Sequence, residues 1–170
     1  EGQRPGRWLS PRQLREMMHA AGQIATSDNQ AVRNKVVLSV LCTMALRRDE
    51  LASARWDDLS IQNDRMVLRV HGKGKKTAVI DVPGPVARTL QQWQGVVAAS
   101  KDGYQPGSAL VRRLWKGGGV SKHGLTVDGI WTIVADTAAF TDLGHVAPHD
   151  LRRSVAGALH ENGVTIDKIS

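Results

Sequence analysis

Apolar residues recur at the three- and four-residue spacing of an α-helix in five segments of the chain. Ser10, Pro11 and Gln13 form a capping box at the start of the first segment. The second begins at Asp28 and runs toward Met44, and because it is apolar nearly all round near its end, we expect it to be central to the core. The other three helices have their apolar positions at Val86, Leu90, Trp93 and Val97; at Val127, Ile130, Trp131 and Val134; and at Val155, Ala158 and Leu159.

Two short stretches, residues 65–70 and 77–82, alternate between apolar and polar positions as β-strands do. Residues 71–76 between them are glycine-rich and basic, which indicates a hairpin tip whose glycines let the backbone turn. Residues 109–114 are expected as a short strand or extended segment, whereas residues 116–124 are expected as a flexible, basic loop. The order of helices, hairpin and further helices predicts an α+β fold, mainly helical, with a small antiparallel β-sheet.

The length of 170 residues is sufficient for one domain with its own core. Residues 1–9 mix Gly, Pro and Arg, so we expect a linker or arm there and a single domain over residues 10–170. Asn162 and Gly163 are expected to end the last amphipathic helix, and residues 165–170 to begin another. The chain starts without Met or a signal-peptide pattern, so we expect a fragment of a longer protein.

The net charge of the chain indicates which class of molecule it binds. Lys and Arg number 23 against 16 Asp and Glu, which gives a formal net charge of +7 and a pI of about 10.1. Such an excess favours a polyanion, with nucleic acid ahead of an anionic membrane surface, because no apolar run has the length of a membrane span. Cys42 is the single cysteine and lies in an apolar run, so it is expected as a small buried hydrophobe in a reducing compartment.

The clearest candidate chemistry lies at the start of the last amphipathic helix. Pro148 suits a first helical turn, and His149 and Arg152 are three residues apart, so they share one face. An imidazole that transfers protons and a guanidinium that binds two oxygens suit a bound phosphate. A solvated, basic helix start is the alternative for this motif.

Two further basic features lie far upstream. Arg47 and Arg48 directly follow the buried second helix, where an arginine needs an anion or a carboxylate partner. Glu50, one turn after Arg47, can supply that carboxylate, so a structural ion pair is the alternative to ligand binding. The lysines of the hairpin tip either contact a phosphate or are simply solvated.

These features occur in one order, and together they resemble the catalytic domain of the tyrosine recombinase (phage integrase) family. The motifs that carry the resemblance are Ala45-Leu46-Arg47 with Glu50-Leu51 and Trp56, then Gly72-Lys73-Gly74, then His149-Asp150-Leu151-Arg152. The resemblance implies that Arg47 and Arg152 hold the non-bridging oxygens of a scissile phosphate. It implies that Lys73 protonates the departing 5′-hydroxyl and that His149 assists proton transfer. Further DNA contacts are expected from Arg48, Lys75, Lys76 and Arg153.

The family places a further His or Trp, and then the nucleophilic Tyr, after the helix that carries His149 and Arg152. Those positions lie beyond Ser170, and the single tyrosine, Tyr104, lies upstream of His149, so we interpret it as a loop or packing residue. We also expect the N-terminal core-binding domain of the family to lie outside these 170 residues. We therefore expect this chain to bind DNA without cleaving it, and the longer parent to cleave and rejoin DNA through a phosphotyrosine intermediate in site-specific recombination.

The resemblance also implies partners and a location. Double-stranded DNA is the expected partner, with no membrane, no cofactor and no metal. The parent is expected to act as a synaptic tetramer on DNA in the prokaryotic cytoplasm, associated with the nucleoid, and this chain to be a monomer. A non-catalytic DNA-binding or architectural module on the same fold remains the alternative. A metal-dependent nuclease is disfavoured, because no cluster of Asp, Glu and His has the spacing of metal ligands.

Overall fold

The computed structural model describes residues 7–161, with side chains as far as residue 158. The helices of this range are α1 (Pro11–Gln23), α2 (Asp28–Thr43), α3 (Arg48–Ser53), α4 (Gly84–Ala98), α5 (Val127–Phe140) and α6 (Pro148–Glu161). The strands are β1 (Leu59–Gln62), β2 (Arg65–His71), β3 (Thr77–Asp81), β4 (Arg112–Leu114) and β5 (Val120–Gly124). The predicted helix end at Asn162-Gly163 and the helix predicted from residue 165 lie outside the described residues.

Helix α2 lies at the centre of the core, as its sequence predicts. Val36, Val37, Leu38, Val40 and Leu41 are fully buried, and the helix contacts α1, α4, α5 and α6. The second half of the helix is covered on nearly every side, which explains why that half is apolar nearly all round. The predicted mainly helical α+β fold is therefore confirmed.

The predicted helix starts are confirmed by their caps. The side-chain oxygen of Ser10 accepts a hydrogen bond from the Gln13 amide at 3.1 Å, and the Gln13 side chain accepts one from the Ser10 amide at 2.8 Å. Thr126 accepts a hydrogen bond from the Gly129 amide at 3.0 Å and so begins α5. Each bond satisfies an amide that has no partner inside its helix.

The main sheet has three antiparallel strands in the order β1-β2-β3, one more than the predicted hairpin. Strand β1 is joined to β2 by Asn63 and Asp64, both at positive φ, as a tight two-residue hairpin requires. Its Ile61 is exposed, and Leu59 is the residue of this strand that packs against the core. Leu68 and Val70 of β2 bind the sheet to the core.

Residues 116–124 do not form a loop throughout, and the prediction of a flexible loop was wrong for their second half. Val120–Gly124 is strand β5, which pairs antiparallel with β4. Arg112 of β4, 1% exposed, donates from its guanidinium to the Ser121 carbonyl at 3.4 Å and to the Ser108 hydroxyl at 2.6 Å. A buried guanidinium with these acceptors holds the hairpin to the preceding loop.

Residues 7–9 cross α6 and are named here the N-terminal strap. The Leu9 amide donates to the Ser154 hydroxyl at 2.7 Å, and the Arg7 amide donates to the Asp150 carboxylate at 3.3 Å. The indole of Trp8 covers Gly157 so closely that a Cβ there would overlap it. The strap thus binds three positions along the helix that carries His149 and Arg152.

No helix within residues 7–161 is long and apolar enough to span a membrane.

Candidate active site

The three separated motifs meet at one cavity of about 470 Å³. Arg47 and Arg48 reach it from the start of α3, Lys73 from the β2–β3 hairpin, and His149 and Arg152 from α6. The remaining lining residues are Asp49, Trp131, Ala147 and Pro148. All four residues predicted as catalytic therefore line the same space.

Arg47 enters this cavity through a sharp turn after α2. Ala45 has a φ of 55°, in the left-handed region that ends many helices, and its neighbour Leu46 is buried. Arg47 then takes an extended conformation as the N-cap of α3. Its backbone amide donates to the buried Glu50 carboxylate at 2.8 Å. The hydrogen bond of Glu50 thus caps the helix backbone, whereas the predicted alternative was an ion pair with the Arg47 side chain.

The start of α6 is organised by the buried Asp150, which is 1% exposed. Its carboxylate accepts a hydrogen bond from the Ala147 amide at 3.0 Å, in addition to the Arg7 amide. A carboxylate in the first turn complements the positive end of the helix. It fixes the turn from which His149 and Arg152 both reach the cavity.

Arg152 is held in an environment that disfavours its charge. Burial lowers its pKa, the nearby Arg47 lowers that pKa further, and Glu50 opposes the shift. Its Nε is buried and has no hydrogen-bond partner within the described part of the chain. Two guanidinium groups near one another beside one cavity, one of them with a buried unsatisfied donor, make a site that an oxyanion would stabilise.

Lys73 lies in the exposed hairpin tip, which is closed by a hydrogen bond of 2.9 Å from the Gly72 amide to the Lys76 carbonyl. Gly74 has a φ of 71°, in the left-handed region that favours glycine. At the base of the hairpin, His71 Nε2 lies 2.8 Å from the carboxylate of Asp58, which ties the hairpin to the residues before β1.

The other residues predicted to contact DNA divide into two groups. Arg48 lines the cavity, but Lys75, Lys76 and Arg153 do not. Both lysines are exposed on the hairpin beside it. The guanidinium of Arg153 contacts Nε2 of His149, one turn earlier on α6.

Trp131 is the site residue that the sequence pattern placed wrongly. The pattern grouped it with Ile130 and Val134, which are fully buried, yet Trp131 is 39% exposed and forms part of the cavity wall. Successive helix positions differ by about 100°, so a residue next to Ile130 lies at the edge of the apolar face. That offset marks Trp131 as an edge position, but it does not show whether a neighbouring element covers that edge. Its ring lies 6.4 Å from that of His145 between centroids.

Tyr104 is remote from the cavity lining. Its ring packs edge-on against Trp56, with 5.5 Å between centroids. The prediction of a packing role is therefore confirmed.

Across the described residues, no group of three or more His, Cys, Asp or Glu side chains is arranged to hold a metal ion.

The sequence profile of the phage integrase family matches residues 7–170. The chain belongs to the phage integrase family. A curated relative is tyrosine recombinase XerC of Xanthomonas axonopodis pv. citri (strain 306), which is 28% identical over 159 residues. That alignment covers 90% of this chain and 48% of the relative, so this family member spans about half the length of the curated protein.

Solved structures show the same fold as this phage integrase family member. The crystal structure of XerA recombinase has a TM-score of 0.73 at 20% identity, covering 99% of this chain and 56% of the other. The pre-cleavage complex of XerH site-specific recombinase with its difH substrate has a TM-score of 0.72 at 18% identity, covering 93% and 43%. The predicted family and its catalytic-domain fold are thus confirmed.

Proposed function

We propose that this chain is the phosphate-binding part of a site-specific DNA recombinase, and that the full protein cleaves and rejoins double-stranded DNA through a phosphotyrosine intermediate. The observation that carries the proposal is the convergence of Arg47, Lys73, His149 and Arg152 on one cavity, from segments that are far apart in the sequence. Similarity to tyrosine recombinase XerC and membership of the phage integrase family support it.

Arg47 and Arg152 bind the two non-bridging oxygens of the scissile phosphate in this proposal. Attack on a phosphodiester concentrates negative charge on these oxygens, and preorganised guanidinium groups stabilise that charge. The lowered pKa of Arg152 supports the assignment, because a phosphate beside its guanidinium favours the charged form. The cation-rich cavity is therefore complementary to the negative charge of the transition state.

Lys73 and His149 move protons in the proposed reaction. Lys73 protonates the 5′-oxygen that leaves, and its place on an exposed hairpin tip lets it follow that oxygen. His149 assists the transfer at the phosphate from the first turn of α6. Arg153, whose guanidinium contacts Nε2 of His149, is a positioning residue in this scheme.

The nucleophile is proposed to be a tyrosine outside these 170 residues. Tyr104 is the single tyrosine of the sequence, and it packs against Trp56 away from the cavity. We accordingly expect the 170-residue chain to bind duplex DNA without nicking it. Residues 10–170 are proposed as the catalytic domain and residues 1–9 as the linker that enters it.

The decisive experiment traps the covalent intermediate. A full-length recombinase containing this chain is incubated with a duplex of its recombination site that carries a nick near the cleavage position. Protein–DNA adduct is expected, and Arg47→Ala or Arg152→Ala should abolish it. Arg88→Ala, an exposed arginine of α4 outside the cavity, is the matched control and should leave adduct formation unchanged.

The same experiment separates the proposal from a non-catalytic module. A module of that kind would bind the duplex with a strong salt dependence but form no adduct at any length of chain. Adduct that persists in both arginine variants would contradict the assigned roles.

The tetramer expected for the full protein and the monomer expected for this chain stay predictions, which light scattering with and without DNA would test. The expected nucleoid-associated location in a prokaryote also stays a prediction.

A further inference from the structure

The cavity wall carries one large aromatic surface among its cations. Trp131 is 39% exposed, whereas Ile130 and Val134 beside it on α5 are fully buried. Part of the indole is therefore left open to water, although burying it would remove further apolar area from water. Its exposed part faces the same space as Arg47 and Arg152.

The position of the ring is set from outside the cavity. The ring of His145 lies against Trp131, tilted by 53° at 6.4 Å between centroids. The His145 carbonyl in turn accepts a hydrogen bond of 3.2 Å from the Arg7 guanidinium, so the loop before α6 is tied to the N-terminal strap. Held in this way, an aromatic ring loses little conformational entropy when it binds a ligand.

A phosphodiester brings a sugar and a base with each phosphate, and a cavity of about 470 Å³ is in the range that accommodates small organic ligands. Deoxyribose and nucleobase both present apolar faces to an aromatic side chain, and such contacts are tolerant of sequence. A ring packed there also removes water beside the guanidinium groups, which strengthens their attraction to the phosphate.

We propose that Trp131 is a nucleoside-binding residue, which packs against the sugar or base adjoining the phosphate held by Arg47 and Arg152. This inference rests on the proposed function, because it presupposes that the cavity binds a DNA phosphate. It adds a contact that recognises the nucleoside, while the arginines recognise only the charge. The lysine and arginine contacts alone would bind any phosphodiester chain of the same length.

The test compares three labelled single strands of about eight units, a length within the site size of single-strand binding proteins. One is an oligothymidylate, one carries abasic sugars, and one replaces every nucleoside by a three-carbon spacer. All three have the same number of phosphates, so their electrostatic attraction is matched. Fluorescence anisotropy measures the dissociation constant of each strand for wild-type, W131A, W131F and W115A chains. Trp115 is 60% exposed and outside the cavity, which makes W115A a matched control.

W131A should weaken binding of the oligothymidylate about tenfold, the typical loss for one stacked base. The spacer strand should change by less than about twofold, W131F should lose less than W131A, and W115A should match wild type. A loss that persists on the abasic strand assigns the contact to the sugar, and a loss confined to the oligothymidylate assigns it to the base. Equal weakening of all three strands by W131A, or no weakening of any, would overturn the inference.

An Arg152→Ala chain tests the underlying proposal in the same assay. It should weaken all three strands, because each contains the phosphate. If Arg152→Ala has no effect, the proposed phosphate site fails. If Arg152→Ala acts but W131A does not, only the nucleoside contact fails. Thermal unfolding of W131A and W115A should give similar midpoints, and a large loss for W131A alone would show a packing role and also overturn the inference.

Discussion

Replacing Arg152 by Met should make the DNA-free protein more stable. Methionine keeps most of the length of the side chain but removes its charge and its donors. The wild-type residue has a buried Nε without a partner among the described residues and lies near the like charge of Arg47. Arg88→Met, in an exposed helical position of α4, is the matched control for the change in side-chain type.

The size of the expected gain in stability follows from the unsatisfied donor of Arg152. A buried donor without a partner destabilises a folded protein by about 1–3 kcal/mol, and relief of the repulsion from Arg47 adds to the gain. Lost contacts of the guanidinium offset part of it. We therefore expect Arg152→Met to raise the free energy of unfolding by about 1–2 kcal/mol in buffer without phosphate. Arg88→Met should change it by less than about 0.5 kcal/mol.

Urea unfolding followed by circular dichroism measures this difference, provided that the slope of the free energy against urea is the same for all variants. A second series of urea unfolding measurements, in about 100 mM phosphate, tests whether the charge of Arg152 is the cause of the difference. With a dissociation constant about ten times lower than that concentration, phosphate stabilises the wild type by about 1.4 kcal/mol through binding. Phosphate also stabilises folded proteins by exclusion, so the informative quantity is the gain of wild type relative to Arg152→Met.

Two results would refute this reasoning. One is an Arg152→Met protein less stable than wild type by more than about 1 kcal/mol without phosphate, which would show that the arginine stabilises the fold through its contacts. The other is an equal gain from phosphate in both proteins. Either result would remove the electrostatic support for placing the scissile phosphate beside Arg152.

Three further predictions concern the N-terminal strap and the hairpin. Ser154→Ala should lower the free energy of unfolding by about 1–3 kcal/mol, because the buried Leu9 amide loses its acceptor, and urea unfolding against Ser154→Thr measures it. Gly157→Ala should destabilise the wild type by displacing Trp8 but stabilise a Trp8→Ala background by about 1 kcal/mol, and additive effects in that double-mutant cycle would contradict the contact. Lys73→Ala should leave stability within about 0.5 kcal/mol and lower by about 1 the slope of log affinity for duplex DNA against log salt. An unchanged slope would place this lysine away from the phosphates.

The elements that could be predicted from the sequence are those whose signal is local. The capping residues of α1 and α5 and the apolar surface of α2 are visible in the order of residues, because they depend on neighbours within one or two turns. Strands β1 and β5 could not be predicted in this way. Each is short and lacks a continuous alternating pattern of buried positions, and each is defined by hydrogen bonds to a partner strand across a turn.

The candidate site likewise has some features that the sequence identifies and others that only the tertiary structure shows. The resemblance identified Arg47, Lys73, His149 and Arg152, and only the tertiary structure brings them to one cavity. The exposure of Trp131 could not be decided by periodicity, because the pattern does not show where a neighbouring element leaves the edge of α5 uncovered. The use of Glu50 as a backbone cap was equally hidden, since its spacing from Arg47 suits an ion pair and a capping box alike.

The N-terminal strap also has a consequence for the order of folding during synthesis. The hydrogen bond between Leu9 and Ser154 joins residues 145 positions apart. At about 5–20 residues per second, the strap waits on the order of 7–30 s for α6 to be translated after its own residues. The helix that presents His149 and Arg152 is therefore anchored only when nearly all of the described chain has been made. The cationic cavity consequently cannot be completed on a nascent chain that still lacks α6.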